Sequence, residues 1–233
     1  MVSRWGRVRI PVAAGHYSCR MLVALLLLPG LFSEAAALAD RGYEALRAEH
    51  LAFWRAYFAA SHIQIPDAQF QYFYDASMYH LKAMQSRESG GLPVNNLRRT
   101  WSSHIFWDSY FLQRALLEAN HRHEALEGCR FFQRTIDHAR RHAQEEFGCE
   151  GLKWDWEITH DGRKAYGALL HQKFQIHNNA SYANQIWGYY EHTLDEAMLR
   201  EFFPILEGLA QHGLIEGVLV VAPNLVRSEE RRV

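Results

Sequence analysis

The chain has 233 residues, of which 48% are hydrophobic and 22% are charged, a composition typical of a globular protein with one sizeable domain. Its 25 Lys and Arg residues and 26 Asp and Glu residues leave a formal net charge of −1. Because no basic stripe interleaved with aromatic residues is present, the sequence argues against nucleic-acid binding and favours a small neutral partner. Three cysteines, none in a CxxC pair, are too few for a disulfide framework and are expected to be reduced.

The first 34 residues allow two interpretations. Arginines precede the apolar run Met21 to Leu28, and a small-residue segment follows it, which resembles a secretory signal peptide. Alternatively, Val8 to Val12 and Met21 to Leu28 form two strands around a turn, and we favour this β remnant because the basic region is long and interrupted. Pro29-Gly30 ends the apolar run well short of the roughly 20 residues that a membrane span needs. We expect a cytoplasmic protein, or a secreted one if residues 1–39 act as a signal peptide.

Helical periodicity dominates the chain from Ala35 to about residue 210. Asp67 is expected to cap the second helix, Ser89-Gly90-Gly91 to end it, and Pro204 to kink or restart the sixth. The short link between the third and fourth helices predicts an antiparallel hairpin. The predicted helices cover about residues 35–60, 68–85, 107–120, 124–146, 178–191 and 195–210, and the segment 213–221 has the pattern of a strand.

Two long loops, residues 92–104 and 148–169, alternate with the helical hairpins. Both loops are rich in aromatic and polar side chains, and loops of this length are usually functional or disordered. Helical hairpins that alternate with such loops indicate a mainly α fold, a helical toroid with its pocket at one end.

The segment Thr100 to Tyr110, TWSSHIFWDSY, has the mixture of side chains that a sugar-binding pocket uses. Flat aromatic faces beside a carboxylate and hydroxyl groups can stack on a sugar ring and form paired hydrogen bonds with its hydroxyls. The alternative is that the aromatic residues belong to the core and that Asp108 merely caps the following helix. Composition alone does not separate the two readings.

Three pairs of residues at helix starts or in loops are predicted to converge on one rim: Trp107 with Asp108, Trp156 with Glu157, and His177 with Asn178. They would present two carboxylates, two aromatic rings and an imidazole to one ligand. The alternative is that Trp154 and Trp156 cover a hairpin end as hydrophobic plugs and that Glu157 is solvated.

Two other signals are weak. His138 and His142 lie four residues apart on one helix face, and His121 and His123 flank an arginine, but the first pair lacks the glutamate of an HExxH motif, so we predict a solvated helix face rather than a metal site. The triplet that begins at Asn179 matches the glycosylation pattern, and we discount it because it lies within the predicted site. No glycine-rich phosphate loop and no GxSxG elbow is present.

Residues 102–111, SSHIFWDSYF, resemble the GHxFWDTE-like segment that glycoside hydrolase family 65 carries at its sugar-binding rim. Upstream, QYFYDASMYHLKAMQ is similar to the first barrel helix of that family. Downstream, GLKWDWEITHDGRK is similar to its PWE-containing loop and FQIHNNASYANQIWGYYEHT to its His-led helix. The resemblance covers roughly residues 41–211 in the right order and spacing.

The resemblance implies a six-hairpin α/α toroid, preceded by a β-sandwich, that acts on α-linked glucosides such as trehalose, maltose or kojibiose. Members hydrolyse or phosphorolyse with inversion, so no cofactor is expected, although inorganic phosphate can serve as co-substrate. By position, Trp107 and Asp108 would hold the terminal glucose of a di- or oligosaccharide, with Trp156, Glu157 and His177 nearby. Ser109-Tyr110 and Asp155 depart from the family's pattern, which puts individual substrate contacts in doubt.

The larger departure concerns the catalytic groups. Inversion needs a general acid and a general base, and the family's acid lies in a GPDEYH-like segment that nothing after Ala210 matches. We therefore expect an incomplete toroid over residues 35–211 followed by an unmatched tail over 212–233, and we assign no catalytic residue. Unpartnered apolar helix faces would favour homo-oligomers. The alternatives are a non-catalytic carbohydrate-binding or scaffold protein and a histidine-rich metalloprotein.

Overall fold

The structure is a computed structural model that describes residues 33–94, 104–165, 174–175 and 177–215. Over these residues the chain forms eight helices and two isolated β-bridges, so the predicted mainly α fold is confirmed. The helices are α1 (33–41), α2 (Tyr43–Ala59), α3 (Ala68–Met84), α4 (Ser109–Glu118), α5 (Arg122–Arg134), α6 (Ile136–Phe147), α7 (His177–Thr193) and α8 (Glu196–Ile215). Both strands predicted within residues 1–34 lie outside the described residues. No helix in the described ranges is long and apolar enough to cross a membrane.

The chain divides into two compact units, Met1–Ala59 and Ala60–Val233. In the first unit, the prediction of one uninterrupted helix from Ala35 is wrong, because the helix breaks between α1 and α2. Gly42 lies at the break with a φ of 75°, a left-handed conformation that ends helices and that glycine adopts without steric cost.

Helix α3 opens the second unit, and its start is set by Asp67 as predicted. The Asp67 carboxylate accepts hydrogen bonds from the backbone N–H groups of Gln69 at 2.8 Å and Phe70 at 3.1 Å. The helix ends at Met84, one residue before its predicted end, rather than at the Ser89-Gly90-Gly91 segment. That segment forms the next turn, where Gly90 has a φ of 81° and contacts α5 closely: a Cβ there would lie 2.1 Å from the carbonyl oxygen of Glu127.

Replacing Asp67 with Ala should therefore lower the free energy of unfolding by about 1 kcal/mol, because two N–H groups at the start of α3 lose their acceptor. Chemical denaturation of the wild type and the variant measures the difference. Asp75→Ala is the control, since Asp75 lies within α3 and accepts only a side-chain bond from Gln71. Equal stability of the Asp67→Ala variant and the wild type would contradict a capping role.

Helices α4 and α5 pack against each other as the predicted hairpin. Asn120 makes the turn with a φ of 59°, and His121 N–H donates to the Leu116 carbonyl at 2.7 Å. Across the pair, the buried Gln113 amide donates to the Ala125 carbonyl at 3.0 Å and contacts Cys129 Sγ at 2.9 Å. These bonds satisfy the amide group where α4 faces α5.

The prediction of one long helix over residues 124–146 is wrong, because α5 ends at Arg134 and α6 begins at Ile136. Thr135 lies at the break. Its hydroxyl donates to the Phe131 carbonyl at 2.8 Å and accepts from the Trp154 indole N–H at 3.0 Å. The 148–165 loop is packed on the same point, since a Cβ on Gly162 would lie 2.4 Å from Thr135 Cβ. The break is therefore stabilised by tertiary contacts that the local sequence does not reveal.

Helix α7 lies at the centre of the second unit and contacts α4, α5 and α8. Tyr182 of α7 is fully buried between Phe132 and Trp154, with ring centroids 4.6 and 6.0 Å away. Helix α8 starts beside Asp195, whose carboxylate accepts from Met198 N–H at 2.9 Å, and it continues through Pro204. The predicted strand over 213–221 is wrong at its first three residues, which are helical, and its remainder lies outside the described residues.

Candidate functional site

Two segments that are far apart in the sequence pair beside α7. Ile105 and Ile158 form an antiparallel bridge, in which Ile105 N–H donates to the Ile158 carbonyl at 2.8 Å and Ile158 N–H donates back at 3.1 Å. Both side chains are buried. This bridge places the segment with Trp107 and Asp108 next to the segment with Trp156 and Glu157, as the sequence analysis predicted for a shared rim.

The first turns of α7 hold both segments. Asn178, which is fully buried, donates from its amide to the Trp156 carbonyl at 2.6 Å. Ser181, one turn later, donates to the Trp107 carbonyl at 2.6 Å. Asn179 lies on the neighbouring face, where its amide oxygen accepts from Trp154 N–H at 3.2 Å. Three polar side chains of one helix therefore fix the backbone of both aromatic segments.

Trp107, Asp108 and His177 form the more open part of the rim. The Trp107 and His177 rings meet edge to face with centroids 5.8 Å apart, and Trp107 keeps 37% of its surface exposed. Burial lowers the pKa of His177, with Lys153 acting in the same direction and Asp108 opposing it. The imidazole is thus favoured in its neutral form, which can both donate and accept a hydrogen bond.

Asp108 does not cap α4, so that part of the alternative interpretation is wrong, whereas Ile105 and Phe106 are core residues as the alternative expected. The residue directly precedes α4, but its backbone is already helical, with φ −61° and ψ −21°, and its side chain makes no capping hydrogen bond. Its carboxylate is half-buried and has no hydrogen bond or ion pair with a described residue. A half-buried carboxylate beside an exposed indole ring is a group that a ligand can reach.

Glu157 is buried rather than solvated, so the alternative reading of this residue is also wrong. Its side chain is 2% exposed, and Oε1 lies 2.5 Å from Nδ1 of His104. The other oxygen, Oε2, is buried without a hydrogen-bond partner among the described residues. Burial raises the pKa of Glu157, while the contact with His104 opposes that rise.

The two tryptophans of this loop differ in their environment. Trp154 is 1% exposed and hydrogen-bonded to Thr135, as expected of the hydrophobic plug in the alternative interpretation. Trp156 is half-buried, and its ring meets Phe106 edge to face with centroids 5.3 Å apart. Of these two tryptophans, Trp156 rather than Trp154 retains exposed surface.

Sequence reasoning missed the residues that position the rim. We did not select His104, Ser181 or Gln185. His104 follows a segment with three hydroxyl residues, Thr100 to Ser103, and contacts Glu157. Gln185 donates to Ser109 Oγ at 2.8 Å inside the core. The available signal was the density of polar residues along α7, a helix buried on most of its surface. Buried polar side chains need partners, so such a helix is expected to bind neighbouring backbone.

The weaker sequence signals concerned the histidine pairs and the glycosylation triplet. Within the described ranges, no group of three His, Cys, Asp or Glu side chains is arranged to hold a metal ion. His138 Nδ1 contacts the Arg141 guanidinium at 2.8 Å on an exposed helix face. His142 is half-buried, and burial lowers its pKa to about 4, so the prediction of a solvated face is wrong at His142. Asn179 is 7% exposed and hydrogen-bonded on both sides of its amide, so the glycosylation triplet is not accessible in the folded protein.

The mainly α fold matches part of a solved α/α-toroid structure. A solved structure described as "Putative kojibiose phosphorylase from human microbiome" matches with a TM-score of 0.66 and 16% sequence identity over 78% of this chain. The chain spans 25% of the length of that protein. No protein-family model matches the sequence, and no curated protein is similar to it. At this identity the comparison shows the fold alone.

Proposed function

We propose that the rim formed by Trp107, Asp108, Trp156, Glu157 and His177 binds a glucose-containing di- or oligosaccharide. The observation that carries this proposal is the convergence of Trp107, Asp108 and His177 at the start of α4 and α7, with the two rings 5.8 Å apart and the carboxylate free of a capping role. An exposed indole face can stack on the apolar face of a pyranose, and a carboxylate can accept hydrogen bonds from two adjacent hydroxyls.

The fold supports a relationship to glycoside hydrolases and phosphorylases that act on α-glucosidic bonds, because the similar structure bears the name of a kojibiose phosphorylase. Both reactions need a general acid, and inversion also needs either an activated water or phosphate on the opposite face of the sugar. No described residue is assigned that acid role. The proposal for this chain is therefore saccharide binding, with inorganic phosphate as the co-substrate if the reaction is phosphorolysis.

Isothermal titration calorimetry of the full chain with kojibiose, maltose and trehalose tests the proposal. We expect saturable binding of at least one α-linked diglucoside, with loss of most of the affinity in Trp107→Ala because the ring provides the stacking surface. Phe203→Ala is the matched control, since Phe203 is an exposed aromatic residue of α8 that is not part of the rim. A helical scaffold without a sugar site would release no heat with any of the three, and affinity unaffected by Trp107→Ala would place the site elsewhere.

Product analysis separates binding from catalysis. The same disaccharides are incubated with and without inorganic phosphate, and glucose and glucose 1-phosphate are measured. Release of either product would establish an enzyme, whereas binding without turnover would establish the non-catalytic alternative. Both outcomes are compatible with the rim as a binding site, so this measurement decides the reaction and calorimetry decides the site.

A further inference from the structure

His104 and Glu157 are diagonal neighbours across the Ile105–Ile158 bridge. In an antiparallel pair, His104 lies opposite Thr159, and residues two apart on one strand point to the same face. The backbone bonds of the bridge, at 2.8 and 3.1 Å, therefore place both side chains on one face, where His104 Nδ1 lies 2.5 Å from Glu157 Oε1. The contact joins residues 53 positions apart in the sequence.

The two oxygens of the Glu157 carboxylate are in different environments. Oε1 is held by His104, while Oε2 is buried and accepts no hydrogen bond from a residue that the structure describes. A buried charged acceptor without a donor is destabilising, so such a group needs a hydrogen bond from an ordered water, an ion or a ligand. Asn178, which binds the carbonyl of the preceding residue Trp156, also has a buried amide oxygen without a donor. Two donor-poor oxygens thus lie along the same short stretch of the rim.

We propose that His104 is a positioning residue, which holds Glu157 ionised and turned so that Oε2 accepts a hydrogen bond from a hydroxyl of the bound saccharide. This inference rests on the proposed function. Glu157 contacts the ligand, and His104 acts only through Glu157.

The inference requires a pH dependence whose sign follows from the local charges. The saccharide hydroxyl is the donor, so Glu157 must be ionised, and binding weakens as pH falls through its pKa. Burial raises that pKa, Asp155 raises it further, and His104 lowers it. His160 also faces His104, and its own pKa is lowered by burial and by His104. Removing His104 therefore raises the pH below which binding is lost.

The test measures saccharide affinity by calorimetry across pH in the wild type, His104→Ala and His104→Asn, using the disaccharide that binds the wild type best. We expect His104→Ala to bind about tenfold more weakly at neutral pH, because Glu157 loses the group that orients it and its hydrogen bond from the saccharide weakens. We expect its pH midpoint to shift upward, and His104→Asn, which keeps an N–H donor, to recover part of the affinity. His80→Ala, at an exposed histidine of α3, is the control and should leave the profile unchanged. Circular dichroism verifies that each variant is folded.

Carboxyl-carbon NMR of Glu157 in the free protein gives a second measurement that needs no ligand. Its titration midpoint should rise in His104→Ala and not in His80→Ala. An unchanged carboxyl titration, or saccharide binding with an unchanged pH profile, overturns the role of His104 and leaves the proposed function intact. A wild-type protein that binds no saccharide overturns the proposed function, and the NMR titration still decides whether His104 controls the ionisation of Glu157.

Discussion

Replacing Asp108 with Asn is expected to weaken saccharide binding by about 100-fold, while the thermal midpoint stays within about 2 °C of the wild type. The amide keeps one acceptor oxygen, but it carries no charge and presents an NH2 donor to the second sugar hydroxyl. The loss of one charge-assisted hydrogen bond and the weakening of the other account for a change of this size. The fold does not depend on the group, because the carboxylate neither caps α4 nor pairs with a described residue. Calorimetric titration and differential scanning calorimetry on the same preparations measure the two quantities.

Asp137→Asn is the matched control for the loss of one negative charge. Asp137 is an exposed residue near the start of α6 and is paired with Arg140 at 2.6 Å, away from the rim. Exposed ion pairs contribute little, so this variant should bind and unfold like the wild type. If Asp108→Asn bound the disaccharide as tightly as the wild type, the carboxylate would have no place in the site. A large fall in its thermal midpoint would instead assign Asp108 a structural role.

The sequence predicted helices well where local chemistry sets their ends. Asp67 shows its capping role in the sequence because an aspartate follows a proline and precedes an apolar period. The break at Thr135 could not be predicted in the same way, because Thr135 is held by Trp154 and by the turn at Gly162, both distant in the chain. Gly42 was a missed local signal, since a glycine within a helical period can mark a left-handed end.

In the candidate site, too, local sequence predicts some features and tertiary contacts determine the others. Trp107, Asp108 and His177 stood out in the sequence because their residue types are unusual at a helix start, and the structure places their segments together. The pairing of His104 with Glu157 is different, since it depends on the register of the Ile105–Ile158 bridge. A shift of that register by one residue would turn the Glu157 side chain to the other face. Composition therefore selected the candidate residues of the rim, and only tertiary pairing shows that His104 contacts Glu157.

Replacing Gly151 with Ala is expected to lower the free energy of unfolding by more than about 3 kcal/mol, because steric overlap adds to backbone strain. Gly151 has a φ of 97°, and a Cβ there would lie 2.6 Å from the Gly208 carbonyl oxygen and 2.8 Å from His212 N. These are backbone atoms of α8 and cannot move aside as a side chain could. The neighbouring Leu152 N–H donates to the same Gly208 carbonyl at 2.8 Å, so relief of the overlap would break this bond.

Gly148→Ala separates steric overlap from backbone strain. Gly148 ends α6 with a φ of 65°, but a Cβ there meets no atom within 4 Å, so this variant should lose only about 1 kcal/mol. Urea denaturation of the two variants and the wild type gives both differences. Equal losses of stability in the two variants would mean that backbone strain alone accounts for the effect of Gly151→Ala and that the loop can move away from α8. A larger loss in Gly151→Ala than in Gly148→Ala requires instead that the loop leading to Trp154 and Glu157 is fixed on α8. The contact between Gly151 and α8 then both stabilises the fold and positions the rim.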